Sequence, residues 1–351
     1  MSEAKHGAKT AIEIGLMSLG DRLRDPVTGS LRSEAERHRS IVEQAVLAEQ
    51  MGFHSVHVGE HHLNDYMVSA PPVLLAAVGE RTEKLVLSTG VTLMATLDPL
   101  RAAEDYATVD VLSGGRAEIV AGRGSFFQKT FPAFGLDAAD SAELFAENVE
   151  LLARLLSEED VVWEGKFRSP LHGVTIRPRP VGDLPMWVAG GSSRRTVELA
   201  ARLGAPLMLP SVFAPPDQFV AIVEFYREQW DAAGHEGDPV VGACCHCHVA
   251  PTTGEARSQF APWYEHYWQW VQALIVDFTP HAKALPFDLD TLYAGPAIVG
   301  SPAEIVDRVG QWAELLGLSR HLFMFDLGGI PDAELFSTVE LFGQEVVPQL
   351  G

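Results

Sequence analysis

LVLSTGVTLMATLDPLRAAEDYATVDVLSGGRAEIVAGRG, residues 85–124, holds one complete strand–helix–strand unit. Leu85–Leu93 is apolar and β-branched, the composition of a buried strand. Pro99–Leu112 opens on a proline, which suits a first helical turn, and stops at Gly114–Gly115, a C-terminal cap signal. Ala117–Gly122 is the next strand. Two strands separated by a helix of this length predict a parallel pair.

The same alternation extends in both directions. Upstream, Ile12–Met17 is a strand, and Ser33 with Glu36 forms a capping box for a helix carrying Ile41, Ala45, Ala48 and Met51 on one face. Ser55–Gly59 is a second strand, and Pro71–Arg81 a second helix. Downstream, the amphipathic helix Ser141–Leu156 precedes strands at Met186–Ala189, Pro206–Leu209, Val240–Ala250 and Leu322–Phe325, with helices between them. Eight strand candidates alternating with helices predict an α/β fold, a (β/α)8 TIM barrel, over an open doubly wound sheet. Residues 1–11 are expected to be a flexible tail and 12–351 a single barrel domain. An aromatic and proline-rich insertion around 157–184 interrupts the rhythm and predicts a hairpin or loop over one barrel end.

Acidic residues outnumber basic ones, 47 to 26, for a net charge of −21. This balance argues against a nucleic-acid binder and against an anionic membrane surface, and favours a small-molecule substrate. No apolar run approaches the ~20 residues of a membrane span, and the polar N-terminus lacks a signal-peptide core. Three cysteines confined to Cys244–Cys247 make no disulfide framework, so a cytoplasmic setting is expected.

In a parallel barrel the chemistry gathers at the C-terminal ends of the strands. There the sequence places Glu60-His61-His62 after the second strand, Arg123-Gly124 after the fourth, Gly190 to Ser193 after the fifth, and Asp326 to Gly329 after the eighth. An imidazole at a strand end suits acid–base chemistry near neutral pH, with one of His61 and His62 working and its neighbour structural. Gly191-Ser192-Ser193 at a helix start is either an anion site or a plain serine N-cap. Arg123 is either a bidentate phosphate grip or a salt bridge on the rim. Gly328-Gly329 is a rival phosphate site. No GxGxxG motif is present.

No metal site is expected. His54 and His57 fall on opposite faces of their strand, and the first strand offers no ligand. CCHCH at 244–248 puts Cys244, His246 and His248 on one face, but buried thiols lining a barrel strand are the commoner arrangement. FAPWYEHYWQW at 260–270 either lines a cavity, forms a subunit contact or is a buried outer helix.

GEHH, STGVTLM, DPLRAAEDYATVDVLSGGRAEIVAGRG, AGGSSRRTVELAARLG and the closing VGSPAEIVDRV and FDLGGIP together resemble the bacterial-luciferase-like flavin monooxygenases, from about residue 12 to 348. The resemblance implies a barrel that uses reduced FMN, supplied by a separate flavin reductase, and O2 to oxygenate a small apolar or carbonyl substrate. It puts the acid–base residue at His61 and the phosphate-binding arginine at Arg123. It puts further phosphate contacts near Ser192, Ser193 and Thr196, although the luciferase alpha chain has a glutamate where Ser192 stands. A non-prolyl cis peptide beside the flavin ring would fall at Gly90–Val91. A homodimer is the family expectation. Two alternatives are a deazaflavin-dependent hydride-transfer oxidoreductase and a non-catalytic flavin-binding subunit like the luciferase beta chain. Loops near 125–140, 160–184 and 278–297 are expected to serve as lids.

Overall fold

The computed structural model describes residues 11–279, 283 and 287–351. Residues 1–10 of the expected tail lie outside these, as does part of the loop expected near 278–297.

The chain opens with strands β1 (Glu13–Ser18), β2 (Ser55–Val58), β3 (Val86–Thr89), β4 (Thr92–Leu93) and β5 (Ile119–Gly122). The hairpin β6 (Val161–Trp163) and β7 (Leu171–Val174) comes next. Then follow β8 (Met186–Ala189), β9 (Leu207–Met208), β10 (Val241–Val249), β11 (Ala297–Gly300) and β12 (Arg320–Met324). The helices are α1 (Glu34–Gln50), α2 (Pro71–Gly79), α3 (Pro99–Ser113), α4 (Thr130–Ala133), α5 (Ser141–Ser157) and α6 (Arg194–Arg202). They continue with α7 (Val220–Ala232), α8 (Thr253–Phe278), α9 (Leu289–Ala294), α10 (Pro302–Leu316), α11 (Asp332–Glu345) and α12 (Val347–Leu350).

Every pairing in the main sheet is parallel, in the order β3-β2-β1-β12-β10-β9-β8-β5-β4. β3 and β4 are consecutive in the chain, and Leu87 of β3 bridges Ala117 just before β5, so the circuit closes. This is the expected (β/α)8 barrel. The capping box at Ser33 and Glu36 forms, and α3 stops where Gly114 turns left-handed at φ 73°.

Two local differences from the sequence expectation have physical reasons, while the insertion takes one of its two expected forms. The expected third strand, Leu85–Leu93, is two strands: β3 pairs with β2 and β4 with β5, the chain changing partner across a cis Gly90–Val91 peptide. The insertion is an antiparallel hairpin. β11 was not expected. β10 is nine residues long. One of its edges meets β12 along Gly242–His246, and the other meets β9 at Val241–Gly242 and then β11 at His246–Val249. The four residues AIVG of β11 complete that second edge.

An ion pair plugs the N-terminal end of the barrel. Arg320 donates to both Glu118 carboxylate oxygens at 2.6 and 2.9 Å and to Glu13 at 2.8 Å, with its guanidinium 4.5 Å from the Trp187 ring centre. Ser88 adds a hydroxyl to Glu118 at 2.7 Å. Burial alone would raise the Glu118 carboxyl, but Arg320 and the hydrogen bonds outweigh it and hold the group below its ordinary value. Removing one partner of such a pair strands a buried charge. Arg320→Met is expected to lower the unfolding free energy by about 3–5 kcal/mol in urea denaturation at pH 7.

Four histidines are buried: His57, His246, His248 and His321. Desolvation pushes His57 and His248 down to about 4 and His246 and His321 to about 3, so all four are neutral in the fold. Each takes up a proton on unfolding once the pH is below about 6.5, so its contribution is present above that value and is lost as pH falls toward its folded value. Asp21, pushed up by burial to about 7, works in the opposite direction across this window, as one group against these four and His61, which is likewise held at about 3. Unfolding free energy measured by denaturant titration is therefore expected to fall between pH 6.5 and 4, and a flat profile would contradict the neutral assignments.

Candidate functional site

The parallel strands deliver their C-terminal ends to one rim, where a cavity opens above Met17 of β1, Met208 of β9, Cys244 of β10 and Leu322 of β12. His61, Gly90, Val91, Arg123, Ser192, Ser193 and Thr196 all line this cavity. These residues are spread over more than a hundred positions of sequence, and the closed barrel brings them together.

Glu60 organises the β2 side. Its amide donates to the Val91 carbonyl at 2.9 Å, one carboxylate oxygen accepts from the Leu93 amide at 2.8 Å, and the other meets His62 Nε2 at 2.8 Å. His62 is thereby the structural neighbour, its ring edge-on to Phe134. His61 is the free one. Its amide donates to the Val68 carbonyl at 2.8 Å, and its ring stacks on Tyr66 at 4.2 Å with Phe127 edge-on at 5.0 Å. Among the described residues neither ring nitrogen has a hydrogen-bond partner. Its crowded surroundings, with His62 nearby, push the imidazole down to about 3, so it is neutral at physiological pH.

Arg123 follows β5 directly. It is half-buried, and among the described residues its guanidinium makes no hydrogen bond and no ion pair. The alternative of a rim salt bridge is therefore not what the structure contains. The arginines that are buried among the described residues are paired, Arg37 with Asp326 and Arg320 with Glu118. Across the cavity, Ser193 caps α6, its hydroxyl accepting the Thr196 amide at 3.4 Å. The N-cap reading of this segment is observed, and it leaves room for the other. The hydroxyl is an N-cap, and the Arg194 and Arg195 amides of the first turn have no partner among the described residues and are available to an anion.

The rival phosphate site is filled with protein. The Gly328 amide donates to Asp21 at 3.0 Å, and a Cβ on Gly328 would sit 1.9 Å from the Trp263 carbonyl oxygen. Cys244, His246 and His248 of the CCHCH strand have different surroundings. Cys244 reaches the cavity floor, but His246 is covered by α8, with Nδ1 3.0 Å from the Tyr264 hydroxyl. His248 lies between Gln259 and Thr338. No group of three metal-ligating side chains occurs among the described residues. His57 is held by Ser55 at 3.0 Å and the Thr89 carbonyl at 3.1 Å inside the barrel.

The aromatic helix is a buried element, with Trp263, Tyr264, Tyr267 and Trp268 packed over the barrel mouth. Tyr267 reaches the site at second hand, its hydroxyl 2.8 Å from that of Tyr66. Tyr66, Phe126, Phe127 and Phe213 line the cavity and were not singled out in the sequence. Phe126 and Phe127 stand two and three residues beyond the GRG motif, which was the available signal. Phe213 had none.

A closed parallel barrel with an unpaired cation and a neutral histidine at the C-terminal ends of its strands is the build of a cofactor-dependent barrel enzyme. The chain belongs to the luciferase-like monooxygenase family, whose model matches residues 12–319, and it is an oxidoreductase. It is similar to monooxygenase RslO1 from Streptomyces bottropensis, at 28% identity, TM-score 0.84, and coverage of 97% of this chain and 100% of that one. Two more distant structures share the fold. One is the oxygenating constituent of 3,6-diketocamphane monooxygenase from Pseudomonas putida, in complex with FMN (20% identity, TM-score 0.80, 97% and 99% covered). The other is an F420-dependent secondary alcohol dehydrogenase (19% identity, TM-score 0.74, 98% and 100% covered). No helix among the described residues is long and apolar enough to cross a membrane.

The Leu93 amide has Glu60 as its partner in a buried position. Glu60→Ala is expected to cost about 1–3 kcal/mol of unfolding free energy, the range for stranding a buried donor. Chemical denaturation reads it, and a change below a few tenths of that range would show that the clamp contributes nothing.

Proposed function

We propose that the protein is a monooxygenase that uses reduced FMN and O2 to oxygenate a small apolar or carbonyl substrate. The observation that carries this is the half-buried Arg123 guanidinium without a protein partner, facing a cavity that also holds a neutral, untied His61. A cation so placed is poorly compensated until an anion arrives, and a phosphate matches its fork.

Arg123 and the first-turn amides of α6 would hold the FMN phosphate, with Ser192, Ser193 and Thr196 beside it. Gly90, Val91 and Leu93 would floor the ring. Reduced flavin, when bound, supplies the electrons that activate dioxygen. The chain's own part is binding, orientation and exclusion of water, for which Val212, Phe127 and Ile275 provide apolar walls. His61 enters as a neutral imidazole, able to take a proton at its free nitrogen or to donate its N–H toward the reacting atoms.

A separate flavin reductase as partner is supported by the FMN-bound neighbour, which is the oxygenating constituent of its monooxygenase. A homodimer is supported by the large aliphatic side chains that α2 and α3 leave exposed, Val73 at 73% and Leu112 at 57%. Three free, buried cysteines suit the cytoplasm. The F420-dependent neighbour keeps a deazaflavin as the competing cofactor.

Anaerobic calorimetric titration with reduced FMN, reduced riboflavin and reduced deazaflavin tests this. Reduced FMN is expected to bind about 10- to 100-fold more tightly than riboflavin, the worth of a charge-assisted contact, and Arg123→Ala is expected to erase that difference. Binding of deazaflavin alone would replace oxygenation with hydride transfer. His61→Ala is expected to keep FMN affinity while slowing substrate-dependent O2 consumption about 10²- to 10⁴-fold. Unchanged turnover would remove His61 from the chemistry.

A further inference from the structure

The cavity carries its unpaired cation at one end. Arg123 and the start of α6 form that end. The other is walled by rings from three separate segments: His61 and Tyr66 after β2, Phe126 and Phe127 after β5, and Phe213 after β9. These rings hold one another in stacked, tilted and edge-on contacts, Phe126 on Phe213 at 5.3 Å and Phe127 on His61 at 5.0 Å. A second row from α8 fixes them from behind, Trp268 edge-on to Phe213 at 5.8 Å and Phe278 edge-on to Phe127 at 5.9 Å. The Tyr66 hydroxyl is occupied by that of Tyr267. Glu60, the carboxylate bordering this end, has one oxygen on His62 and the other on the Leu93 amide.

We infer that this end selects a substrate bearing a flat aromatic ring and no negative charge, with Phe126 and Phe213 as the residues that select it. The inference rests on the flavin reading above for where the cofactor stops and the substrate begins. Rigid rings presenting faces and edges meet a flat ring by stacking and edge contacts beyond simple area burial. A flexible alkyl chain gains area alone and loses rotor freedom when it is ordered. An anion gives up its hydration here for ring faces that repel it, with no cation to answer. Phe126 and Phe213 come from two different rim loops and meet across the mouth, so an entering molecule touches both.

The test compares four probes by calorimetry: 2-naphthol, 1-decanol of equal carbon count, 2-naphthoate and 1-methylquinolinium. Each is titrated into the protein with and without FMN. The expected result is 2-naphthol and 1-methylquinolinium each binding at least about tenfold more tightly than 1-decanol and 2-naphthoate. 1-Decanol has the greater apolar surface, so that preference cannot arise from area. Phe213→Leu is expected to shrink the advantage over 1-decanol to less than about threefold while FMN affinity is retained. Equal or tighter binding of 1-decanol or 2-naphthoate overturns the substrate class, and an unchanged ranking in Phe213→Leu overturns the role of Phe213. FMN binding without a naphthol preference fails this inference alone. A naphthol preference without FMN binding fails the flavin reading alone.

Discussion

Glu60 joins two pieces of backbone that the site needs in register. Its amide on the Val91 carbonyl and its carboxylate on the Leu93 amide make the end of β2 and the turn between β3 and β4 one unit. His61 is the next residue, so its position against Gly90–Val91 is set by main-chain hydrogen bonds and not by a chain of side-chain torsions. That is the kind of support that holds a functional group to a fraction of an ångström. The approach is close enough that a Cβ on Gly59 would sit 2.6 Å from the Gly90 carbonyl oxygen, which keeps position 59 without a side chain.

Charge compensation separates the structural end of the barrel from the chemical one. At the N-terminal end Arg320 is shared between Glu118 and Glu13, and nothing there is left to bind. On the rim, Arg37 is buried with Asp326, which also accepts the Ser18 hydroxyl at 2.5 Å, while Asp21 accepts the Gly328 amide. This network cements β1 to β12 and explains why the glycine pair after β12 is scaffold. Arg123 stands on the same rim without a carboxylate. A buried pair is indifferent evidence for stability and none for function. An unpaired guanidinium in a cavity is what the proposed phosphate contact requires.

The barrel was legible because each strand carries its own local signal: a β-branched run, then a capped helix. His61, Arg123 and Ser193 were legible because position at a strand end is a sequence property in this architecture. β11 escaped because AIVG is short and its pairing depends on β10 running past β9, which no window around residues 297–300 encodes. The ring wall escaped for the same reason. Phe126 and Phe213, or Tyr66 and Tyr267, meet only through barrel closure, and contacts so distant in sequence leave no periodic trace. The two readings of Gly191 to Ser193 could not be separated in the sequence because they are compatible: the hydroxyl caps, and the remaining amides stay open.

The histidines show why residue type alone under-determines a site. His57 has both ring nitrogens engaged, and His246 has one. His321 has neither, and it is sealed between Trp312 at 5.1 Å and Phe323 at 4.6 Å. His61 also has neither, and it opens on the cavity. Desolvation holds His321 and His61 alike at about 3, so protonation state does not tell them apart. What does is access. A nitrogen without a partner is inert when apolar rings close over it, and becomes a proton acceptor when a substrate atom can reach it. In this chain that difference is made by the turn of backbone Glu60 secures, which leaves the imidazole of the following residue facing the open space above the barrel floor.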